Sequence, residues 1–162
     1  MSAKQTTSAT TYRGLRSEDG SCTIAIEDEH GQRTGIVRHL PKHSPAGMNW
    51  GYAGAGSADT ARSLLIEALG NDAICPVCAG TSRVVYVKDE AGGALRAEPF
   101  DPDSHPWARH GWLCECDEGY RQLPYPRFVS QYVVHWGKEW TITRGSILNW
   151  LSSTSQNSVG GG

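Results

Sequence analysis

Apolar residues recur with two different periods along the chain, and those periods predict its elements. Ala61, Leu64, Leu65, Ala68 and Leu69 fall at i, i+3, i+4, i+7 and i+8, the single apolar stripe of an α-helix. Ser57 offers an N-cap hydroxyl ahead of that stripe, and Gly70 a C′ residue behind it. Upstream, TYRGLR and CTIAIEDEHGQRTGIVRHL alternate β-branched or aromatic residues with polar ones around Gly20 and DEHGQ. That pattern predicts strand, turn, strand. Cys22, Ile24 and Ile26 share one face of the second run, so Cys22 reads as a small buried apolar residue. Between these strands and the helix, LPKHSPAGMNW has no periodicity and reads as a proline-rich loop.

Beyond residue 72 the character changes. RVVYVKDEAGGALRAEPF predicts two short strands joined by a glycine turn, and DPDSHPWARHGW a polar, aromatic loop. In YPRFVSQYVVHW, residues Phe128, Val129, Tyr132, Val133 and Trp136 fall at helical intervals, with a strand as the alternative because of the β-branched content. KEWTITRGSILNWL predicts a short strand, a Thr143 cap and a last helical turn or two burying Ile147, Trp150 and Leu151. The expected fold class is α+β: a small antiparallel sheet with two to three helices, plus an inserted zinc-ribbon-like hairpin. Residues 12–72 and 123–151 form the discontinuous core in this reading, and residues 73–122 the inserted mini-domain. Residues 1–11 and 152–162, polar and without periodicity, read as flexible arms.

Composition narrows the function. Of 162 residues 38% are hydrophobic, a modest share, so the core is expected to be small and to profit from a further staple. A net charge of −2 argues against a protein that coats nucleic acid. No apolar run approaches the ~20 residues of a membrane helix, and MSAKQTTSATT has no apolar segment of a secretory signal. A cytoplasmic protein without membrane contact is expected, in which cysteines are metal ligands or redox groups before they are disulfides.

Four of the five cysteines fall in two tight pairs, Cys75/Cys78 and Cys114/Cys116. Two thiolates separated by two residues grip one ion from a turn, and the glycine after Cys-Pro-Val-Cys-Ala lets backbone N–H groups fold toward sulfur. A second pair after a hairpin completes a four-sulfur site, for which Zn²⁺ is the expected cofactor. Cys-Glu-Cys is one residue shorter than the usual knuckle, which leaves His105 or His110 as an alternative ligand. A thioredoxin-like dithiol is disfavoured, because a glycine turn and a strand follow Cys78 instead of a helix. The loop between the pairs, with Trp107, Arg109 and Trp112, is a candidate binding surface, able to anchor a protein or to stack bases.

NWGYAGAGSAD resembles a phosphate-binding loop in spacing only. Gly51 and Gly56 match, but Ser57 stands at the lysine position and Ala58 at the hydroxyl position. Asp59, expected in the first helical turn, would repel an anion there. The loop is therefore read as structural: Gly51, Gly54 and Gly56 let Trp50 and Tyr52 pack while the chain turns into the Ser57-capped helix. His39, His43 and Ser44, with Asp28 and Glu29 upstream, form no recognisable catalytic constellation, and Glu115, Asp117 and Glu118 read as a solvated acidic rim.

Tyr12, Gly14, Ser44, Gly47, Trp50, Gly51, Tyr52, Gly54, Gly56, Phe128, Trp140, Thr141 and Trp150 together resemble an uncharacterised family of small domains of bacteria and bacteriophages. The resemblance covers the two flanks and not the cysteine-bearing middle. It implies no activity, and it implies a bacterial or mobile-element setting in which accessory, anti-defence proteins are frequent. The expected function is thus a non-catalytic, zinc-stabilised module binding a protein partner. The alternatives are a nucleic-acid reader using the aromatic loop, and a small-ligand or nucleotide binder at the glycine loop.

Overall fold

A computed structural model describes residues 9–157. The expected leading arm lies mostly outside this range, and so does the end of the expected tail. In chain order the elements are strands β1 (Thr11–Arg16), β2 (Cys22–Glu27) and β3 (Arg33–Ile36), helix α1 (Ala55–Leu69), strands β4 (Arg83–Lys88), β5 (Leu95–Pro99) and β6 (Trp112–Leu113), helix α2 (Tyr125–Gln131), strand β7 (Glu139–Thr143) and helix α3 (Arg144–Asn157). Two antiparallel sheets and three helices make this an α+β fold. The chain divides into two compact units, Asn71–Gln122 and the remainder. No helix among the described residues is long and apolar enough to cross a membrane.

The larger unit carries a four-stranded sheet in the order β3-β2-β1-β7. Its turns are made by side chains that bond their own backbone. Asp19 accepts the N–H of Ser21 at 2.9 Å, and Asp28 accepts those of His30 and Gln32, each at 2.9 Å. Gly14 of β1 faces Trp140 of β7 across the sheet. A methyl group on Gly14 would fall 2.1 Å from Cε2 of Trp140, so only glycine lets the indole lie flat on β1. Trp140 in turn stacks on Trp136 at 3.8 Å and meets the edge of Trp50 at 5.3 Å. The Trp50 indole N–H donates to the carbonyl of Gly137 at 2.7 Å. These rings tie the segment before α1 to the segment between α2 and β7.

Helix α1 is buried on nearly every side. Of the predicted apolar stripe, Ala61, Leu64, Leu65 and Ala68 are fully inaccessible, whereas Leu69 at its end is half-buried. The opposite side, Asp59, Thr60, Arg62 and Ser63, is buried too. The aperiodic loop from Val37 to Trp50 covers it and satisfies its polar groups one by one. Ser63 Oγ accepts the N–H of Leu40 at 2.9 Å; Thr60 Oγ1 accepts that of Asn49 at 3.1 Å and donates to the Asn49 carbonyl at 2.6 Å. Asp59 accepts the N–H groups of Lys42 (3.2 Å), His43 (2.9 Å) and Ser44 (3.0 Å), and lies 2.9 Å from Nε2 of His39. Burial alone would raise the carboxyl pKa. The His39 bond and the three backbone donors outweigh it and hold Asp59 below its usual range.

Two expected details of α1 are corrected. The helix starts at Ala55 with Gly54 as its cap and no side-chain capping bond, so Ser57 lies inside it with its hydroxyl buried and unpartnered. The earlier start places Asp59 in the second turn, aimed at the loop and not at the helix terminus. Downstream, the helical reading of 125–136 holds as α2 followed by a 3₁₀ turn at Val133–His135. Thr143 caps α3 as expected, accepting the Ser146 N–H at 3.1 Å. Helix α3, however, runs on to Asn157, well into the segment expected as a tail.

The smaller unit is a three-stranded antiparallel sheet, β5-β4-β6. The β4–β5 hairpin matches expectation. Strand β6 falls where only a loop was expected, because Gly111, at φ +64°, brings the backbone against the Val84 carbonyl, which a methyl group would meet at 2.7 Å.

Replacing Asp59 by asparagine removes the charge that four donors share, from His39, Lys42, His43 and Ser44, and is expected to lower unfolding free energy by about 3 kcal/mol. The depressed carboxyl contributes fully above its unfolded pKa of ~3.9 and loses its contribution as pH falls through the folded value. Urea unfolding of both proteins should thus show a gap that is widest near neutrality and closes on acidification. A gap that stays constant down to pH ~3 contradicts this account.

Candidate metal centre

Each cysteine pair leads into a turn with two consecutive positive φ angles, the mark of a type I′ turn. In the first, the Cys78 carbonyl accepts the Thr81 N–H at 3.1 Å, with Ala79 at φ 51° and Gly80 at φ 84°. In the second, the Asp117 carbonyl accepts the Tyr120 N–H at 3.0 Å, with Glu118 at φ 53° and Gly119 at φ 96°. Cys75 stands five residues before Gly80, and Cys114 five before Gly119. The second knuckle is therefore not shortened. Its second thiol sits one place earlier, and Asp117 occupies the position that Cys78 holds in the first. Asp117 is accordingly buried, a correction to the expected acidic rim, whereas Glu115 and Glu118 are exposed.

The two turns interlock through their glycines. The Cys75 N–H donates to the Gly119 carbonyl at 2.9 Å, and a methyl on Gly119 would fall 2.6 Å from the Gly80 carbonyl oxygen. This contact brings the four sulfurs within 4.8 Å of one another. Cys75 and Cys114 Sγ are 3.8 Å apart, and Cys78 and Cys116 Sγ 3.7 Å. A disulfide would need about 2.05 Å. A tetrahedron with metal–sulfur bonds of about 2.3 Å spaces its sulfurs about 3.8 Å apart. Four thiols at this spacing fit a metal ion, which Cys75, Cys78, Cys114 and Cys116 could hold together.

The electrostatics fit as well. Burial opposes ionisation throughout. At Cys75 the backbone N–H groups of Cys78 and Val77 overcome it and bring the thiol down to about 7. At Cys114 burial and the neighbouring Cys116 thiol push the value up to about 12, and burial also raises Cys116 despite the N–H that Gly119 donates to its sulfur at 3.2 Å. Thiolates this close repel, and a divalent cation is what lets all four ionise together.

The alternative ligands are placed otherwise. His105 is buried, with Nε2 2.8 Å from a Glu98 carboxylate oxygen and Nδ1 3.1 Å from both the N and O of Asp101. The potential metal-holding group among the described residues contains neither His105 nor His110. The expected binding surface divides. Trp107 sits edge-on to His105 at 5.8 Å, whereas Trp112 pairs with Tyr86 at 5.9 Å, a partner that sequence reading did not single out although β4 places it plainly. In the other unit, the glycine loop is packed. Methyl groups on Gly54 and Gly56 would fall 2.6 Å and 3.0 Å from the Tyr52 ring and hydroxyl, and one on Gly51 3.0 Å from the Trp136 carbonyl. His39, His43 and Ser44 do converge on Asp59, but His43 and Ser44 through backbone N–H groups, and the His43 ring lies 2.8 Å from the Tyr125 hydroxyl.

Gly119→Ala, with every cysteine intact, is expected to weaken metal binding about 10- to 100-fold, because a backbone carbonyl cannot yield to the new methyl. Glu118→Gly relieves a positive φ and should keep full affinity while gaining about 1 kcal/mol of stability. Competition against a chromophoric chelator measures both. Unchanged affinity in Gly119→Ala would refute the interlocked-turn account.

Residues 12–79 match a family of unknown function (DUF6166). The match takes in β1–β3, α1 and the first cysteine pair; the second pair, β7 and α3 lie beyond it. No curated protein and no solved structure matches the chain. Over residues 12–79 the chain is thus similar to an uncharacterised domain.

Proposed function

We propose that this chain is a non-catalytic binding module whose cysteine-bearing unit is held together by Zn²⁺ and which engages a protein partner. The convergence of four thiols at tetrahedral spacing carries the reading. Four protein sulfurs fill a tetrahedral ion and leave no open position for substrate or water, which is the pattern of a structural site. Zinc is the ion such a closed thiolate set favours. When bound, it would supply folding free energy to a unit of few buried apolar residues, Ala73, Val84 and Val85 besides the cysteines. Reduced thiols persist in a reducing compartment, which supports a cytoplasmic location.

Charge favours protein over nucleic acid as the partner. The unit Asn71–Gln122 holds five Lys and Arg against nine Asp and Glu, a formal −4 before any thiolate is counted. A polyanion would gain no counterion release there. The resemblance to domains of bacteria and bacteriophages supports an accessory role, of the anti-defence kind, as the setting.

Protein purified without chelator should carry one zinc per chain by elemental analysis. Stripping it with a chelator should abolish the cooperative melting of the cysteine-bearing unit, and re-addition should restore it. Less than about half an equivalent of zinc would defeat the proposal.

A further inference from the structure

Large apolar side chains left in solvent are concentrated on the unit that carries the cysteines, and the sheet register sorts them. Directly opposed residues share a face, as do alternate residues of one strand. Val84 opposes both Pro99 and Trp112, Tyr86 opposes Ala97, and Lys88 opposes Leu95. Tyr86, Leu95 and Trp112 therefore stand on one face, 48%, 65% and 55% exposed. It is the face on which Val84 and Ala97 pack against the cysteines. Glu98, opposite Val85, belongs to the other face, where His105 binds it. The Tyr86 and Trp112 rings meet at 5.9 Å with their planes tilted by 60°, forming one aromatic shelf beside the metal centre.

Charge sets the occupant. Lys88, the one cation that the register places on this face, is followed at once by Asp89 and Glu90, and Trp112 is followed by the exposed Glu115 and Glu118. With the unit at a formal −4, an Arg or Lys side chain is drawn both to these carboxylates and to the ring faces. We propose that the Tyr86–Trp112–Leu95 face is the docking site for a basic, extended segment of a partner protein, its aliphatic side chains on Leu95 and its cations over the two rings. The assignment rests on the reading of the chain as a protein-binding module; it names the surface and the partner chemistry.

The test uses full-length, zinc-loaded protein and three fluorescein-labelled probes: a decapeptide alternating Arg and Leu, one alternating Glu and Leu, and a 20-nucleotide oligo-dT. The Arg/Leu peptide should bind saturably, weaken with salt, and shift the indole N–H resonance of Trp112 while leaving those of Trp50 and Trp140 in place. Tyr86→Ala with Trp112→Ala should lower its affinity at least about tenfold, whereas Trp107→Ala should leave it unchanged. Where alanine lowers the melting point, Tyr86→Gln and Trp112→Gln take its place. Equal binding by wild type and variant overturns the proposal, as does tighter binding of the Glu/Leu peptide or the oligonucleotide. A dimer that the Trp112 variant dissolves also overturns it, assigning the face to a second copy. Zinc content is measured on every sample. Loss of the face effect in protein with one zinc per chain sinks the docking site alone; wild-type protein without zinc sinks the module reading beneath it.

Discussion

The carboxylate of Asp59 sits where water does not reach, with three consecutive backbone N–H groups and an imidazole aimed at it. Most helices of a small domain show one side to the core and the other to solvent. Helix α1 cannot, because the segment from Val37 to Trp50 lies along its polar side. That segment has few apolar anchors, Val37, Met48 and Trp50, so along the polar side of the helix it is held by hydrogen bonds. Asp59 supplies the strongest of them, since an ionised acceptor roughly doubles the strength of each bond it takes. With the loop fixed, Trp50 is delivered to Trp140 and Trp136, and Gly14 becomes the place where the sheet receives an indole.

The smaller unit meets the same shortage of apolar residues by other means. Its buried apolar residues are scarcely more than Ala73, Val84, Val85, Cys75 and Cys78, with Ala97, Cys114 and Cys116 partly buried beside them. Here the device is two glycine turns pressed together, each presenting thiols to a common point. Both units thus rely on backbone N–H groups directed at side-chain acceptors, a carboxylate oxygen in one and sulfur in the other.

Periodicity made the elements legible where one face of each is apolar: β1, β2, β4, the stripe of α1, and the Thr143-capped start of α3. It was blind where cover is polar. The loop 37–50 has no period because it meets α1 largely through N–H groups, which every residue but proline can donate, while its apolar anchors Val37, Met48 and Trp50 follow no regular spacing. The cap at Ser57 was misplaced for a related reason: three glycines allow the helix to begin at Ala55, and glycine leaves no capping signature. At the metal centre, residue identity and spacing pointed to the four cysteines, but Cys-Glu-Cys seemed a residue short because knuckles are counted from cysteine to cysteine. Counted to the following glycine they are equal, a spacing present in the sequence that the positive φ of Gly80 and Gly119 identifies as the one that matters. Strand β6 was missed because two residues cannot display a period at all.

That equality has a consequence for how such sites vary. The turn and the ligand are separable parts: the interlock of Gly80 with Gly119 sets the backbone, and a thiol one place earlier or later still reaches the common point. A knuckle of this build can exchange the position of its donor atom by a pair of neighbouring substitutions, at 116 and 117, without redrawing the chain around it. The Cys75 N–H to Gly119 carbonyl bond joins the two halves of the site through main chain alone, so whatever draws the four sulfurs together also fixes the two turns that carry them, and the geometry of the ligands and the path of the chain are set in one step.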